Sequence, residues 1–163
     1  PAAARTATTP AAGDEPGNVF GQGKSVPLIA MAHGIPYTAA ASVADLRDLE
    51  YKVQQAMKFH GARYLHVHVP CPLGWGSDPG DTVKVARMAI ESGLFPIFEA
   101  EYGEITGRRT IRKHVPVEEY LKLQRRFAHL FRKTPDTKRI AQIQAIADRN
   151  IRRFGLIEGG VGQ

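Results

Sequence analysis

The sequence has 163 residues, of which 43% are hydrophobic and 23% charged, and this composition is typical of a globular domain that buries its own core. No apolar run approaches the roughly 20 residues needed to span a bilayer, and the first 25 residues lack the apolar core of a signal peptide. The single cysteine, Cys71, excludes an intrachain disulfide and favours a reducing, cytoplasmic location. Because the chain starts with Pro1 rather than Met, we expect a fragment or a processed product.

The net charge of +6 is unevenly distributed, since residues 108–153 hold 14 of the 22 Lys and Arg and only four acidic residues. Such a basic block can contact nucleic acid, an acidic partner protein or only water. Aromatic residues do not alternate with these charges as they do in single-strand-binding proteins. The pattern therefore favours a solvated or subunit-facing surface over a nucleic-acid interface.

Residues 1–25 are rich in Ala, Thr, Pro and Gly and predict a loop. Within them, residues 17–25 resemble a phosphate-binding P-loop. Five residues separate Gly17 from Gly23, whereas a P-loop requires four, and no strand precedes them. We interpret this stretch as a glycine-rich loop that leads into a helix.

Residues 26–69 predict a helix, a strand, a helix and a strand. Ser25 is a suitable N-cap for a first helix that ends at Gly34, and a strand of small residues follows at 36–42. The second helix begins at Ser42 or Asp45 and ends at Gly61. Its apolar residues recur at helical spacing and predict a core-facing stripe of Leu46, Leu49, Val53, Ala56 and Met57.

The second strand, residues 62–69, completes a strand–helix–strand unit. Such a unit implies a parallel pair with a right-handed crossover, which is half of an open α/β sheet. We expect the missing strands to lie N-terminal to this sequence. Alternation places three polar or aromatic residues on one face and three apolar residues on the other: Tyr64, His66, His68; Leu65, Val67, Val69. His66 and His68 could bind a metal, but without a third ligand nearby, packing is the favoured interpretation.

The strand leads directly into a turn that contains Cys71. Pro70 and Pro72 prevent further ladder pairing, Gly74 frees the backbone and Trp75 can cover the site. A thiol at the C-terminal end of a strand lies where open α/β sheets bind ligands. The alternative is that Cys71 is a small buried hydrophobic residue.

The remaining chain predicts more helices and one hairpin. A helix begins at residues 78–81, ends at Gly93 and carries a stripe of Val83, Ala86, Arg87 and Ile90. A strand at 95–101 and a hairpin at 102–116, with alternation at Thr110, Ile111 and Arg112, come next. One helix then starts at Val117 and includes Tyr120, Leu121, Phe127, Leu130 and Phe131. A last helix with Ile140, Ile143, Ala147, Ile151 and Phe154 is capped by Gly155, and the final EGGVGQ is expected to be loose.

Two segments, AHGIPYTAAASVADLRDL at 32–49 and YLHVHVPCPLGW at 64–75, resemble the β subunit of pyruvate:ferredoxin oxidoreductase and related 2-oxoacid:ferredoxin oxidoreductases. The second segment is the more specific. TATTP at 6–10 resembles the end of a loop that closes over the cofactor in this family. Residues 78–154 also follow the family's order of elements. The resemblance covers nearly the whole chain.

The resemblance implies a fold, two cofactors and a reaction. The fold is the C-terminal part of a thiamine-diphosphate-binding α/β domain with an open parallel sheet and a helical C-terminal extension. The division would be a loop at 1–25, the partial cofactor domain at 26–101, and the hairpin and basic helices at 102–163. The reaction is the oxidative decarboxylation of a 2-oxoacid with coenzyme A, and its electrons pass through [4Fe–4S] clusters to ferredoxin.

The resemblance makes Cys71 the fourth ligand of a [4Fe–4S] cluster, with Gly74 and Trp75 in its surroundings. The other three cysteines are absent, as are the Gly-Asp-Gly motif and the Asn that hold magnesium and the diphosphate. Truncation explains both absences, so we expect the chain alone to be inactive and to work with α, γ and δ subunits and ferredoxin or a similar carrier. The alternative is a degenerate homologue or a non-catalytic domain that docks through its basic helices. Nucleic acid and membranes are not expected partners.

Overall fold

Four strands form one sheet in the computed structural model, which describes residues 25–157. The predictions for the loop at 1–24, including TATTP and most of the P-loop-like stretch, and for residues 158–163 lie outside this range. In the described residues, the first elements are α1 (Val26–Ala32), β1 (Tyr37–Ser42), α2 (Leu46–Ala56) and β2 (Arg63–His68). Their order and type confirm the predicted helix–strand–helix–strand unit, and β1 pairs in parallel with β2.

The chain then forms α3 (Pro72–Trp75), a 3₁₀ turn (Pro79–Asp81), α4 (Thr82–Glu91), β3 (Phe98–Glu101) and β4 (Glu104–Arg108). The prediction of an α/β fold is confirmed, but an entirely parallel sheet is wrong. The strand order is β2-β1-β3-β4, and β3 runs antiparallel to both of its neighbours. The physical reason is that α4 leaves the chain at the end of the sheet where β1 and β2 finish. The strand β3 therefore starts beside the C-terminal end of β1 and runs in the opposite direction.

A tight hairpin explains why β4 is antiparallel to β3. Tyr102 and Gly103 connect the two strands, and both have positive φ angles, 48° and 89°. This is the backbone twist that two-residue hairpins require. The strand β4 ends at Arg108, so the predicted alternation at Thr110, Ile111 and Arg112 lies outside the hairpin. The N–H of Ile111 instead donates to the Leu156 carbonyl at 2.7 Å.

The apolar stripe predicted for the core on α2 is largely on the surface. Leu46, Val53 and Met57 are 67%, 46% and 72% exposed, and the residues that α2 buries are Lys52 and Ala56. The small side chains of Ala39 and Ala56 allow close approach of helix and sheet. Lys52 reaches past them to donate to the Ala40 carbonyl at 2.9 Å and to Asp48 at 2.9 Å. Periodicity thus located the stripe but not the side of the helix that packs.

The stripe predicted for α4 is also partly wrong. Val83 and Arg87 are exposed, because the helix packs against the C-terminal helices with a neighbouring face. That face consists of Val85, Ala86, Ala89 and Ile90. The predicted stop at Gly93 is confirmed by its φ of 78°.

The C-terminal half folds into α5 (Val117–Lys122), a 3₁₀ segment (Arg125–Phe131) and α6 (Thr137–Phe154). The single helix predicted from Val117 is therefore two elements, which are separated at Gln124. This break allows Phe127 and Leu130 to reach the same core as Tyr120. The last helix and its Gly155 cap, with φ of 59°, match the prediction.

The larger hydrophobic cluster joins α4, α5, the 3₁₀ segment and α6, and Trp75 of α3 packs against its edge. A second cluster joins β1 and β3 to Ile151, Phe154 and Leu156. The C-terminal helices consequently lie beside the turn that follows β2. Within residues 25–157, no helix is both long enough and apolar enough to cross a membrane.

Candidate functional site

Cys71 lies three residues beyond the end of β2 and caps the N-terminus of α3. Its backbone is extended, with φ −102° and ψ 101°, and Pro72 occupies the first helical position. The side chain is exposed. The predicted strand-to-turn transition is confirmed, and the alternative of a buried hydrophobic cysteine is wrong, because the turn lifts the thiol away from the core.

The sulfur of Cys71 accepts a hydrogen bond from the N–H of Gly74 at 3.4 Å. The Cys71 carbonyl in turn accepts from the N–H of Trp75 at 2.9 Å. Together these bonds fix both the backbone and the side chain of the cysteine. Backbone N–H···S contacts of this kind also tune the potential of iron–sulfur clusters.

Gly74 keeps space open beside the sulfur. A Cβ at this position would lie 3.3 Å from Cys71 Sγ. The sequence predicted that Gly74 would free the backbone, but the left-handed conformation occurs two residues later, at Gly76, which ends α3 with a φ of 65°. Gly74 therefore matters for access to the thiol rather than for an unusual backbone conformation.

Trp75 is half-buried and contacts aromatic and cationic groups behind the turn. Its ring centroid lies 5.8 Å from that of His68, and the Arg126 guanidinium lies 3.8 Å from the Trp75 centroid on the ring face. This distance is typical of a cation–π contact. The ring thus connects the end of β2 to the 3₁₀ segment, and the Cys71 thiol remains exposed.

The histidine face of β2 is a packed aromatic layer. The Phe95 ring lies 5.7 Å from His66 and 4.7 Å from His68, and the Tyr64 hydroxyl is 2.8 Å from His66 Nδ1. Burial lowers the pKa of His66, and it lowers that of His68 to about 3, with a further contribution from the positive charge of Arg126. Both rings are therefore neutral at pH 7. Within the described chain no three His, Cys, Asp or Glu side chains form a group that could hold a metal ion.

Arg126 is the residue near the turn that sequence reasoning missed. It is only 4% exposed, and its Nε and Nη2 donate to Gln124 Oε1 at 2.9 and 2.6 Å. Burial lowers the pKa of this guanidinium. Its neighbour Arg125 is exposed, and nothing in the local sequence distinguishes the two arginines. Only the tertiary contact with the Trp75 ring distinguishes Arg126 from Arg125.

The rest of the basic block is mostly on the surface. Lys122 pairs with Glu118 at 2.7 Å and Arg139 pairs with Asp136 at 2.6 Å. Other positions are exposed: Arg108, Arg112, Lys113, Arg125, Arg132, Lys133, Lys138, Arg152 and Arg153. These side chains are on the surface, and their expected role as a solvated or subunit-facing surface stays a prediction.

The geometry fits one of the two expected cofactors in part. An exposed thiol on a fixed turn, with an N–H donor on its sulfur, suits one ligand of an iron–sulfur cubane, which needs four thiolates. Magnesium takes oxygen ligands such as carboxylates, and among the described residues no group of three or more His, Cys, Asp or Glu side chains could hold it. Cys71 as a cluster ligand therefore stays a prediction, and the described residues supply no second thiol beside it.

Comparison with known proteins finds relatives that are named as subunits of 2-oxoacid oxidoreductases. The chain is 45% identical over 153 residues to pyruvate synthase subunit PorB of Methanosarcina barkeri, covering 94% of this chain and 51% of that protein. It is 45% identical over 127 residues to PorB of Methanothermobacter marburgensis, covering 77% and 42%. It is 39% identical over 109 residues to ketoisovalerate oxidoreductase subunit VorB of Pyrococcus abyssi, covering 66% and 35%. No family model matches. The chain spans about half the length of the curated relatives it matches, or less.

Proposed function

The chain belongs to the family of 2-oxoacid:ferredoxin oxidoreductase β subunits, and from that premise we propose that it forms part of the catalytic β subunit of such an enzyme. The observation that carries the proposal is the exposed, hydrogen-bonded thiol of Cys71 at the end of β2. In this proposal Cys71 is one ligand of a [4Fe–4S] cluster. The other three thiolates come from polypeptide outside this sequence, because Cys71 is its only cysteine.

The proposed reaction joins a 2-oxoacid, with pyruvate as the first candidate, to coenzyme A. It yields acyl-CoA, carbon dioxide, one proton and two electrons, which leave through iron–sulfur clusters to ferredoxin or a similar carrier. Thiamine diphosphate with magnesium supplies the decarboxylation chemistry in this family. The described residues do not fit that cofactor by themselves, so we assign it to parts of the enzyme beyond them.

This chain's own contribution, in the proposal, is to present the cluster ligand. The Gly74 N–H holds the sulfur, Gly74 leaves room beside it, and Trp75 anchors the turn to the protein interior. The relatives' names describe subunits, so we also propose a multisubunit complex that resembles the expected α, β, γ and δ arrangement.

A non-catalytic docking domain is the second candidate. It is favoured by the exposed arginines and lysines between residues 108 and 153, which suit an acidic partner surface. The two candidates make opposite predictions for Cys71. A docking domain does not need the thiol, whereas a cluster ligand cannot be replaced by an oxygen without loss of iron.

The test is Cys71→Ser in the assembled enzyme, with Leu73→Ala as the matched control. Leu73 is 96% exposed on the same short helix, so its truncation should leave iron unchanged. Serine is a harder and far less acidic ligand than cysteine, so we expect Cys71→Ser to lower iron per complex and weaken the electron paramagnetic resonance signal of one cluster. Ferredoxin reduction should fall more than decarboxylation. Normal iron and a normal rate of ferredoxin reduction in Cys71→Ser would overturn the proposal.

A further inference from the structure

The strand β2 lies at one edge of the sheet, and within residues 25–157 it pairs only with β1. The His68 carbonyl accepts from the N–H of Val43, just after β1, at 3.2 Å. Backbone groups alternate in direction along a strand, so Leu65 and Val67 direct their N–H and C=O groups toward the open edge. A row of unpaired backbone groups is a template for a further strand.

The side chains at this edge are apolar on the face that α2 covers. Leu65 packs against the cluster that includes Ala56 of α2, so Val67, two residues later, lies on the same face. Val67 and Val69 are exposed there. Arg63, the first residue of the strand, carries its only fixed charge. The open edge therefore offers both hydrogen-bonding groups and apolar surface.

The helix α2 extends this apolar surface. Three exposed residues share one side of the helix and its C-cap: Leu46, Val53 and Met57. The side toward β3 is polar, because Asp45 pairs with Arg109 after β4, and Tyr51 lies within electrostatic reach of the buried Tyr37, whose hydroxyl donates to Glu99 of β3. A helix turns by about 100° per residue, so the apolar stripe lies about 140° away from Tyr51. The stripe therefore faces the side of the sheet that ends at β2.

The other edge of the sheet has features that oppose further pairing. The strand β4 has charged residues at both ends, Glu104 and Arg108, and its pairing with β3 shifts register between Glu99 and Ala100. Charges and bulges are common means by which proteins protect an edge strand. By contrast, β2 keeps a regular register with β1 along its whole length. Of the two edges, β2 is the one suited to accept a partner.

The lengths of the relatives indicate what that partner is. The match covers 51% of pyruvate synthase subunit PorB of Methanosarcina barkeri and 42% of that of Methanothermobacter marburgensis, so about half of each relative's polypeptide lies outside the matched region. Parallel α/β sheets grow by strands that are joined through crossover helices. A strand added at β2 can place its helix beside α2, where the apolar stripe lies.

On the premise of the proposed function, we propose that the open edge of β2 and the apolar stripe of α2 form one docking surface for the remaining polypeptide of the β subunit. A strand of that polypeptide pairs with the outward backbone groups of Leu65 and Val67. An apolar helix covers Leu46, Val53 and Met57. The strand β4 stays an edge of the completed sheet.

The first experiment compares hydrogen exchange in the 163-residue chain, the complete β subunit and the assembled enzyme. The amides of Leu65 and Val67 should exchange at least roughly tenfold more slowly in the complete β subunit than in the chain, the factor that one net hydrogen bond can supply. The β4 segment is the internal control, and its exchange should be the same in both. Light scattering on the chain reports whether it forms a dimer.

The second experiment places a charge on the stripe. Val53→Glu has a matched control in Val83→Glu, since the two valines are 46% and 47% exposed and both lie on helices. In the 163-residue chain both variants should unfold at the temperature of the wild type, because both side chains face water. In the complete β subunit, Val53→Glu should lower the yield of folded protein at least roughly tenfold, since it buries a carboxylate without a partner. Val83→Glu should not.

Three results would overturn this inference. Equal exchange of Leu65 and Val67 in the chain and the complete β subunit would mean that the edge stays open. Protection that appears only in the assembled enzyme would assign the surface to another subunit, and a dimer of the chain with protected β2 amides would assign it to a second copy. None of these results changes the iron content of Cys71→Ser, so failure of the docking surface and failure of the proposed function can be distinguished.

Discussion

The N–H of Arg125 donates to the carbonyl oxygen of Gly76 at 3.3 Å, and the Cβ of Arg125 packs where a side chain on Gly76 would be. Through this contact, a residue 49 positions later in the sequence fixes the end of the helix that Cys71 begins. The cysteine turn is therefore held from two sides, by β2 before it and by the 3₁₀ segment against it.

Gly76→Ala should destabilise the protein by about 2–4 kcal/mol, because it combines a left-handed backbone with a steric clash. The φ of Gly76 is 65°, and a Cβ there would lie 2.8 Å from Arg125 Cβ. Gly34 is the matched control, since its φ is 63° but a Cβ would meet nothing within 4 Å. Gly34→Ala should cost only about 1 kcal/mol. Urea unfolding of both variants measures the difference, and equal losses would show that Arg125 does not press on Gly76.

The buried ring of His68 should make stability depend on pH. Burial lowers its pKa in the folded protein to about 3, below the ordinary value of 6.5. The unfolded chain therefore binds a proton that the folded chain does not, and stability is lost as the pH falls from about 6.5 toward 3.

His68→Phe should remove this dependence, since it keeps an aromatic ring beside Phe95 and Trp75 and loses the proton site. Between pH 7 and pH 5, the free energy of unfolding should fall by up to about 2 kcal/mol more in the wild type than in the variant. Chemical denaturation at both pH values measures it. A variant that loses as much stability as the wild type over this interval would mean that His68 is accessible to protons in the folded state.

Asp48→Asn should destabilise the protein by about 2 kcal/mol, because it leaves the buried ammonium of Lys52 without its counterion. The two side chains are 2.9 Å apart, and Lys52 is 4% exposed while Asp48 is 24% exposed. Glu118→Gln is the control, since the Lys122–Glu118 pair has the same spacing along a helix but is 57% and 45% exposed. Its loss should cost less than about 0.5 kcal/mol. Similar losses in the two variants, measured by thermal or urea unfolding, would contradict the assignment of Lys52 as a buried charge.

Local rules were sufficient for several features of the chain. Asp45 begins α2, Gly155 ends α6 and the strand at residues 63–68 leads into the turn at Cys71, because capping, left-handed glycine and proline restrictions act within a few residues. The match to the family motifs also came from short segments.

Tertiary packing decided the rest. The direction of β3 depends on the end of the sheet at which α4 finishes, and no local sequence pattern predicts this. The apolar residues of α2 have helical spacing, but only the assembled sheet shows that Lys52 and Ala56 face it while Leu46 and Met57 face outward. Arg125 and Arg126 are chemically identical neighbours, but only Arg126 is buried, against the Trp75 ring and the Gln124 amide. Burial depends on which distant surfaces meet, so the sequence by itself determined the cysteine and its turn, and the fold determined the charge that lies behind them.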